Sequence, residues 1–201
     1  KKRESLTDNI VHFDNTIYIK NILKYPHFLK YKKILILDDD VNQLKLLKTL
    51  LARVGLNAYC ITKIDSLQTG LKRNPQLIIL DLYMKEEKID HICRKIKNNY
   101  LFFETPIIFL SATERRQDII NVLDSGANDF IKKPFFFEEL IARIGVQFRI
   151  SYMYDEIKKF LLTQEDLSNK LLDLLEESRI QKEQIHRMNK MLAHKSITDP
   201  L

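Results

Sequence analysis

Cysteine, glycine and proline are all scarce: two, four and five residues in a chain of 201. Cys60 and Cys93 have no metal-ligand spacing between them, so the sequence offers no thiolate metal site. They read as free thiols, one in a strand and one in a helix, buried in a protein of the reducing cytoplasm. No apolar run approaches the ~20 residues that a membrane-spanning helix needs, which excludes membrane insertion. No secretory signal is visible, although the opening Lys1-Lys2-Arg3, without a Met, points to a natural start further upstream.

A basic stripe is also missing. The net charge of +6 divides into six basic and three acidic groups over residues 1–31, seventeen and thirteen over 32–134, and ten and eleven thereafter. An excess spread so thinly, without interleaved aromatics or helix-turn-helix or zinc-finger spacing, argues against nucleic acid as a partner.

From Lys33 the hydrophobic pattern becomes regular. Strands are predicted at 34–37, 58–62, 77–81, 106–110 and 129–132. Helices are predicted at 41–54 (Leu44, Leu47, Leu50 and Leu51 inward), 64–73, 88–98 and 114–125. Gly55, Asn74-Pro75 and Gly126 punctuate them. Alternation of this kind predicts an α/β fold, a doubly wound five-stranded parallel sheet with right-handed crossovers. Residues 1–31 are harder to read. Leu6, Ile10, Phe13 and Ile17 have helical spacing, Thr16 to Ile19 suit a short strand equally well, and a partly helical N-terminal extension is expected.

Glycine and proline vanish altogether between Gly145 and Pro200, which predicts one long helix. With Ile157 at position a, the a and d positions from 150 to 192 are Ile150, Met153, Ile157, Phe160, Gln164, Leu167, Leu171, Leu174, Ser178, Gln181, Ile185, Met188 and Leu192; ten of the thirteen are apolar. A heptad repeat of this length describes a coiled-coil seam and a homodimer. The alternative is a helix lying along its own domain, and Leu161, Leu162, Leu172 and Leu175 widen the apolar face enough to keep it open.

The chemistry lies at the strand ends. The strand over 77–81 is apolar throughout and closes on Asp81, as a strand buried on both faces does, and ligands sit at the carboxyl ends of such strands. The first strand runs into Asp38-Asp39-Asp40, the fourth into Ser111, and the fifth delivers Lys133. Winding brings these groups to one edge. Asp38, Asp39 and Asp81 would crowd three carboxylates together, each raising the others' pKa unless a cation relieves them. An oxygen-only site suits Mg²⁺. With an ammonium and a hydroxyl added, the site complements a phosphoryl group, whose transfer depends mainly on positioning and charge neutralisation.

In their order along the chain, ILILDDD, LIILDLYM, FLSAT and FIKKPF make residues 32–148 resemble the receiver domain of two-component response regulators. The resemblance implies that Asp81 accepts a phosphoryl group from a histidine kinase. It implies Mg²⁺ held by Asp39, Asp81 and the backbone carbonyl of Tyr83, with Asp38 acting through water. Lys133 would pair with the phosphoryl oxygens, Ser111 would move to bond one of them, and Phe130 would be the switch aromatic that turns inward. Lys85 and Ile89 depart from the Pro and Gly usual there, so an uncommon path is expected for the loop after Asp81. Phe130 lacks the hydroxyl of the tyrosine variant, leaving its switching to packing.

Residues 149–195 are then a coiled-coil signalling helix. SITDPL at 196–201 resembles the opening of a GGDEF diguanylate cyclase domain, which would use GTP to make cyclic di-GMP; the chain itself holds no cyclase active site. Two other readings compete. One is a receiver and coiled coil serving a different output domain or none. The other is a phosphatase of the haloacid dehalogenase class, in which Asp38 would be the nucleophile; there Asn42 stands where Thr or Val is wanted, and no pair of aspartates follows Lys133.

Overall fold

The computed structural model describes residues 10–11, 31–84, 89–112 and 115–198, without the side chains of 10–11, 89–90 and 192–198. The apolar runs become strands: β1 (Ile10–Val11), β2 (Lys33–Leu37), β3 (Asn57–Ile61), β4 (Leu77–Asp81), β5 (Ile107–Ser111), β6 (Asp129–Lys132) and β7 (Phe135–Phe136). Five of them make one parallel sheet in the order β3-β2-β4-β5-β6. Helices α1 (Val41–Arg53), α2 (Leu67–Leu71), α3 (Ile89–Lys97) and α4 (Arg116–Asp124) connect the strands, and α5 (Phe137–Thr198) follows the last.

Strand alternation divides the core into two layers. Ile34, Ile36, Leu77, Ile79, Ile108, Leu110 and Ile131 face Leu44, Leu47 and Leu51 of α1 and Leu140, Ile141, Ile144 and Phe148 of α5. Leu35, Leu37, Ile78, Leu80, Ile107 and Phe109 face Leu67 and Leu71 of α2, Ile92, Cys93 and Ile96 of α3, and Val122 of α4. With both faces covered, β4 has no exposed residue, as its unbroken apolar sequence requires.

Local signals fix the ends of α1. The Asp40 carboxylate caps it by accepting from the backbone N–H groups of Asn42 and Gln43 at 2.9 and 3.2 Å. Gly55, at φ +82°, turns the chain out, with Leu56 N–H returning to the Leu51 carbonyl.

Two expectations need correction. The helix predicted over 64–73 is a 3₁₀ turn at Ile64–Ser66 followed by only Leu67–Leu71. Close packing explains why this element is held so near the sheet: a Cβ on Gly70 would sit 2.7 Å from Leu35 Cδ1. Ile10, assigned helical spacing, lies instead in β1, which pairs in parallel with β7, a two-residue strand the sequence did not announce. The rest of the 1–30 extension lies outside the described residues.

The chain forms two units, Lys1–Met153 and Tyr154–Leu201. The described part of the second unit is helical to Thr198. Its apolar residues Ile157, Phe160, Leu167, Leu171, Leu174, Ile185 and Met188 are all exposed, each by more than half. Ile150 and Met153, at the end of the first unit, are also exposed; the Leu192 side chain lies outside the description. Among the described residues no helix is long and apolar enough to cross a membrane.

One polar staple joins α3 to the β5 and β6 ends. Lys97 Nζ donates to the Phe103 and Thr105 carbonyls and to Asn128 Oδ1 at 3.2, 2.8 and 3.1 Å, and Asn128 Oδ1 also accepts from Ile107 N–H. Burial pushes the Lys97 pKa down, and the charge is compensated by these oxygens. Lys97→Met is expected to cost ~2 kcal/mol of unfolding free energy in a denaturant titration; an unchanged midpoint would show that the staple carries no stability.

Candidate functional site

Parallel winding sends the C-terminal ends of β2, β4, β5 and β6 to one edge of the sheet, and each ends in chemistry. Asp38 follows β2, Asp81 ends β4, Ser111 ends β5, and Lys133 follows β6. The register holds them level: Asp81 lies opposite Leu110, Ser111 lies opposite Lys132, and Lys133 N–H donates to the Ser111 carbonyl at 2.7 Å.

Lys133 is the hub. Its Nζ lies 3.0 Å from Asp81 Oδ1, 3.3 Å from Asp38 Oδ2 and 3.2 Å from Gln43 Oε1. The ammonium has three protons, and these three acceptors match them. All four side chains are almost wholly buried. Asp39, partly open to solvent, completes an acidic cluster in which one oxygen from each of Asp38, Asp39 and Asp81 lies within 4.8 Å of the others. Three carboxylates against one ammonium leave an excess of negative charge. A donor set of oxygens alone, concentrated at one point and under-neutralised, fits a hard divalent cation.

The Asp38 carboxyl is pushed up to about 6, chiefly by burial and further by the Asp81 charge; Lys133 and the Asp40 N–H, which donates at 2.8 Å, pull it back only in part. The three adjacent aspartates thus divide their tasks. Asp38 is buried beside the lysine, Asp39 joins the cluster, and Asp40 caps the helix.

Ser111 is fully buried at the end of β5. Phe130 is half-buried and packs on the α2–α4 face, opposite in orientation to its neighbour Ile131. Tyr83 is half-exposed, and its hydroxyl donates to Asp118 Oδ2 at 3.3 Å, linking the loop after β4 to the first turn of α4. Lys85 lies outside the described residues and Ile89 opens α3, so the path expected for that loop stays an expectation.

Sequence reasoning missed Gln43. The signal was present: Gln43, Leu47 and Leu50 recur at helical spacing, which places the glutamine on the inward face of α1 next to the strand ends.

Since burial raises the folded-state pKa of Asp38 above its unfolded value of 3.8, the folded state binds the proton more tightly. Its contribution favours folding below pH ~4 and is lost as the pH rises through about 6, a penalty on the order of 2–3 kcal/mol at neutral pH. Without divalent cations, Asp38→Asn should therefore be more stable than the natural chain at pH 7, with the difference shrinking as pH falls from 6 to 4. Thermal unfolding of both across that range checks this, and a pH-independent difference would refute the assignment.

A family model described as response regulator receiver domain matches residues 34–145. The nisin biosynthesis regulatory protein NisR of Lactococcus lactis subsp. lactis is 37% identical over 116 residues, 56% of this chain and 48% of that protein. The chain thus spans about half the length of that curated relative. Among solved structures, a two-component response regulator from Clostridium difficile is 27% identical with TM-score 0.55, covering 59% of this chain and 96% of that one. The receiver domain of the Francisella response regulator 1452 is 25% identical with TM-score 0.54, covering 60% and 98%. The segment matched by the family model contains every residue that meets in the acidic pocket and makes up more than half of the sequence; the chain belongs to the response regulator receiver family.

Proposed function

We propose that this chain is a phosphorylation-controlled signalling module in which Asp81 takes a phosphoryl group from the phosphohistidine of a histidine kinase. The observation that carries the reading is Lys133 Nζ at 3.0 Å from Asp81 Oδ1 inside a cluster of three carboxylates. An Asp81 oxygen attacks phosphorus, the P–N bond breaks with its electron pair going to the ring nitrogen, and the ring, already protonated on its other nitrogen, leaves as neutral imidazole. Asp38, Asp39, Asp81 and the Tyr83 carbonyl would hold Mg²⁺, which when bound supplies charge neutralisation for the attacking carboxylate and the incoming phosphoryl group. Lys133, already on Asp81, would follow the charge onto the phosphoryl oxygens. Ser111 would supply a hydroxyl to one of them, with Phe130 repacking behind it.

Phosphatase chemistry on Asp38 is disfavoured by the same geometry. Asp38 is 1% exposed, and its two oxygens engage the Asp40 N–H and Lys133. Incubation with Mg²⁺ and a small acyl phosphate should phosphorylate the natural chain once and leave Asp81→Asn unmodified by intact mass. Labelling that survives Asp81→Asn would sink the proposal.

The second unit supports an output role. The exposed heptad stripe from Ile157 to Met188 is suited to burial against a second copy, giving a homodimeric coiled coil that carries the receiver's state toward a following domain. SITDPL supports a diguanylate cyclase as that domain, an enzyme for which the relation between two subunits is the control variable. Couplings of ~1–3 kcal/mol per receiver, doubled in a dimer, come near the ~5.5 kcal/mol needed to invert a two-state population. Leu171→Glu with Leu174→Glu is expected to abolish association in sedimentation while leaving Asp81 phosphorylation intact. Disulfide trapping of Leu171→Cys should change when beryllofluoride and Mg²⁺ are added; identical trapping in both states would argue against transmission through the helix.

A further inference from the structure

Gln43 enters the pocket from the first turn of α1 and is 3% exposed. Its Oε1 accepts from Lys133 Nζ at 3.2 Å, which fixes the amide orientation, since the reverse would set N–H groups against an ammonium. Its Nε2 is the only buried side-chain nitrogen or oxygen among the described residues without a hydrogen-bond partner. Leaving a buried donor unmade is costly, and an apolar side chain at this inward position would avoid the cost. The orphan donor shares an amide with the atom that holds Lys133, so it stands at the wall of the same pocket. The carboxylates already there do not satisfy it. A phosphoryl group on Asp81 would bring three further acceptor oxygens into that space.

We propose that Gln43 is an additional phosphoryl-binding residue: its Oε1 orients the Lys133 ammonium, and its Nε2 donates a hydrogen bond to a phosphoryl oxygen carried by Asp81. This rests on Asp81 being the phosphoacceptor. The amide differs from Lys133 in kind. It contributes a directional donor without adding charge, so it discriminates an occupied pocket from an empty one while leaving the electrostatics of cation binding unaltered.

The test uses the full 201-residue chain and two probes, Mg²⁺ alone and Mg²⁺ with beryllofluoride, titrated by calorimetry. Gln43→Met keeps the length of the side chain and removes both polar atoms; Gln43→Glu keeps the acceptor and removes the donor. Gln43→Met is expected to bind beryllofluoride about tenfold or more weakly, the loss of one hydrogen bond to a charged group; Gln43→Glu, which also adds a carboxylate to the pocket, is expected to bind it more weakly still. In Gln43→Met the fall in beryllofluoride affinity should exceed any fall in affinity for Mg²⁺ alone. In the natural chain the Gln43 side-chain amide signal, identified by its absence in Gln43→Met, should move when beryllofluoride is added. Undiminished beryllofluoride affinity in Gln43→Met with a stationary amide signal would overturn the inference. So would an equal fall in both affinities, the mark of a merely structural role. A natural chain that binds no beryllofluoride at all, or an Asp81→Asn variant that binds it as well, would remove the phosphoacceptor reading and this inference with it.

Discussion

A single ammonium holds the ends of three strands together. Lys133, carried past the end of β6, reaches Asp81 at the end of β4 and Asp38 just beyond β2, across 52 and 95 residues of sequence. Nothing in that contact is cheap. Burying charge costs folding energy unless partners compensate it, and here two buried carboxylates and a third more open one face one cation. The pKa of Asp38, lifted chiefly by burial and further by the Asp81 charge, records that cost. Such a pocket is not optimised for stability. On the proposed reading it awaits a cation and a group able to redistribute the lysine's bonds, the usual trade between a rigid fold and a reactive site.

The remainder of the receiver unit serves to hold this edge in place. The sheet is covered on both faces, so its strand ends are fixed by two packed layers rather than by loops. Asp40 shows how closely the scaffold and the chemistry are interleaved: one residue after the cluster, it caps α1 and donates its N–H to Asp38. Beyond the sheet, α5 carries two periodicities in turn. Leu140, Ile141, Ile144 and Phe148 follow the 3.6-residue stripe of a helix packed on a sheet, and from Ile150 onward the spacing is heptad.

Most of the fold was legible because its strands are unbroken apolar runs closed by polar residues, and LIILD and IIFLS could hardly be anything else. The placement of Asp38, Asp39, Asp81 and Ser111 at strand ends was legible for the same reason, since they close or follow such runs, whereas Lys133 follows the mixed strand DFIK. What escaped notice depends on tertiary contact. Gln43 reads as one more polar residue in a helix until the strand ends are set beside it. The pairing of Ile10–Val11 with Phe135–Phe136 joins segments too short to announce themselves. The 3₁₀ start at Ile64–Ser66 and the close seat of Gly70 on Leu35 are likewise features that no local pattern encodes.

The central claim is that carboxylates from β2 and β4 share one divalent cation beside Lys133. Paramagnetic Mn²⁺, used in place of Mg²⁺ on the isotopically labelled chain, tests it most directly. Substoichiometric Mn²⁺ should broaden the backbone resonances of residues 38–40 and 81–83 first, and Asp39→Asn or Asp81→Asn should remove that selectivity. Broadening centred elsewhere, or unchanged in both variants, would contradict the account.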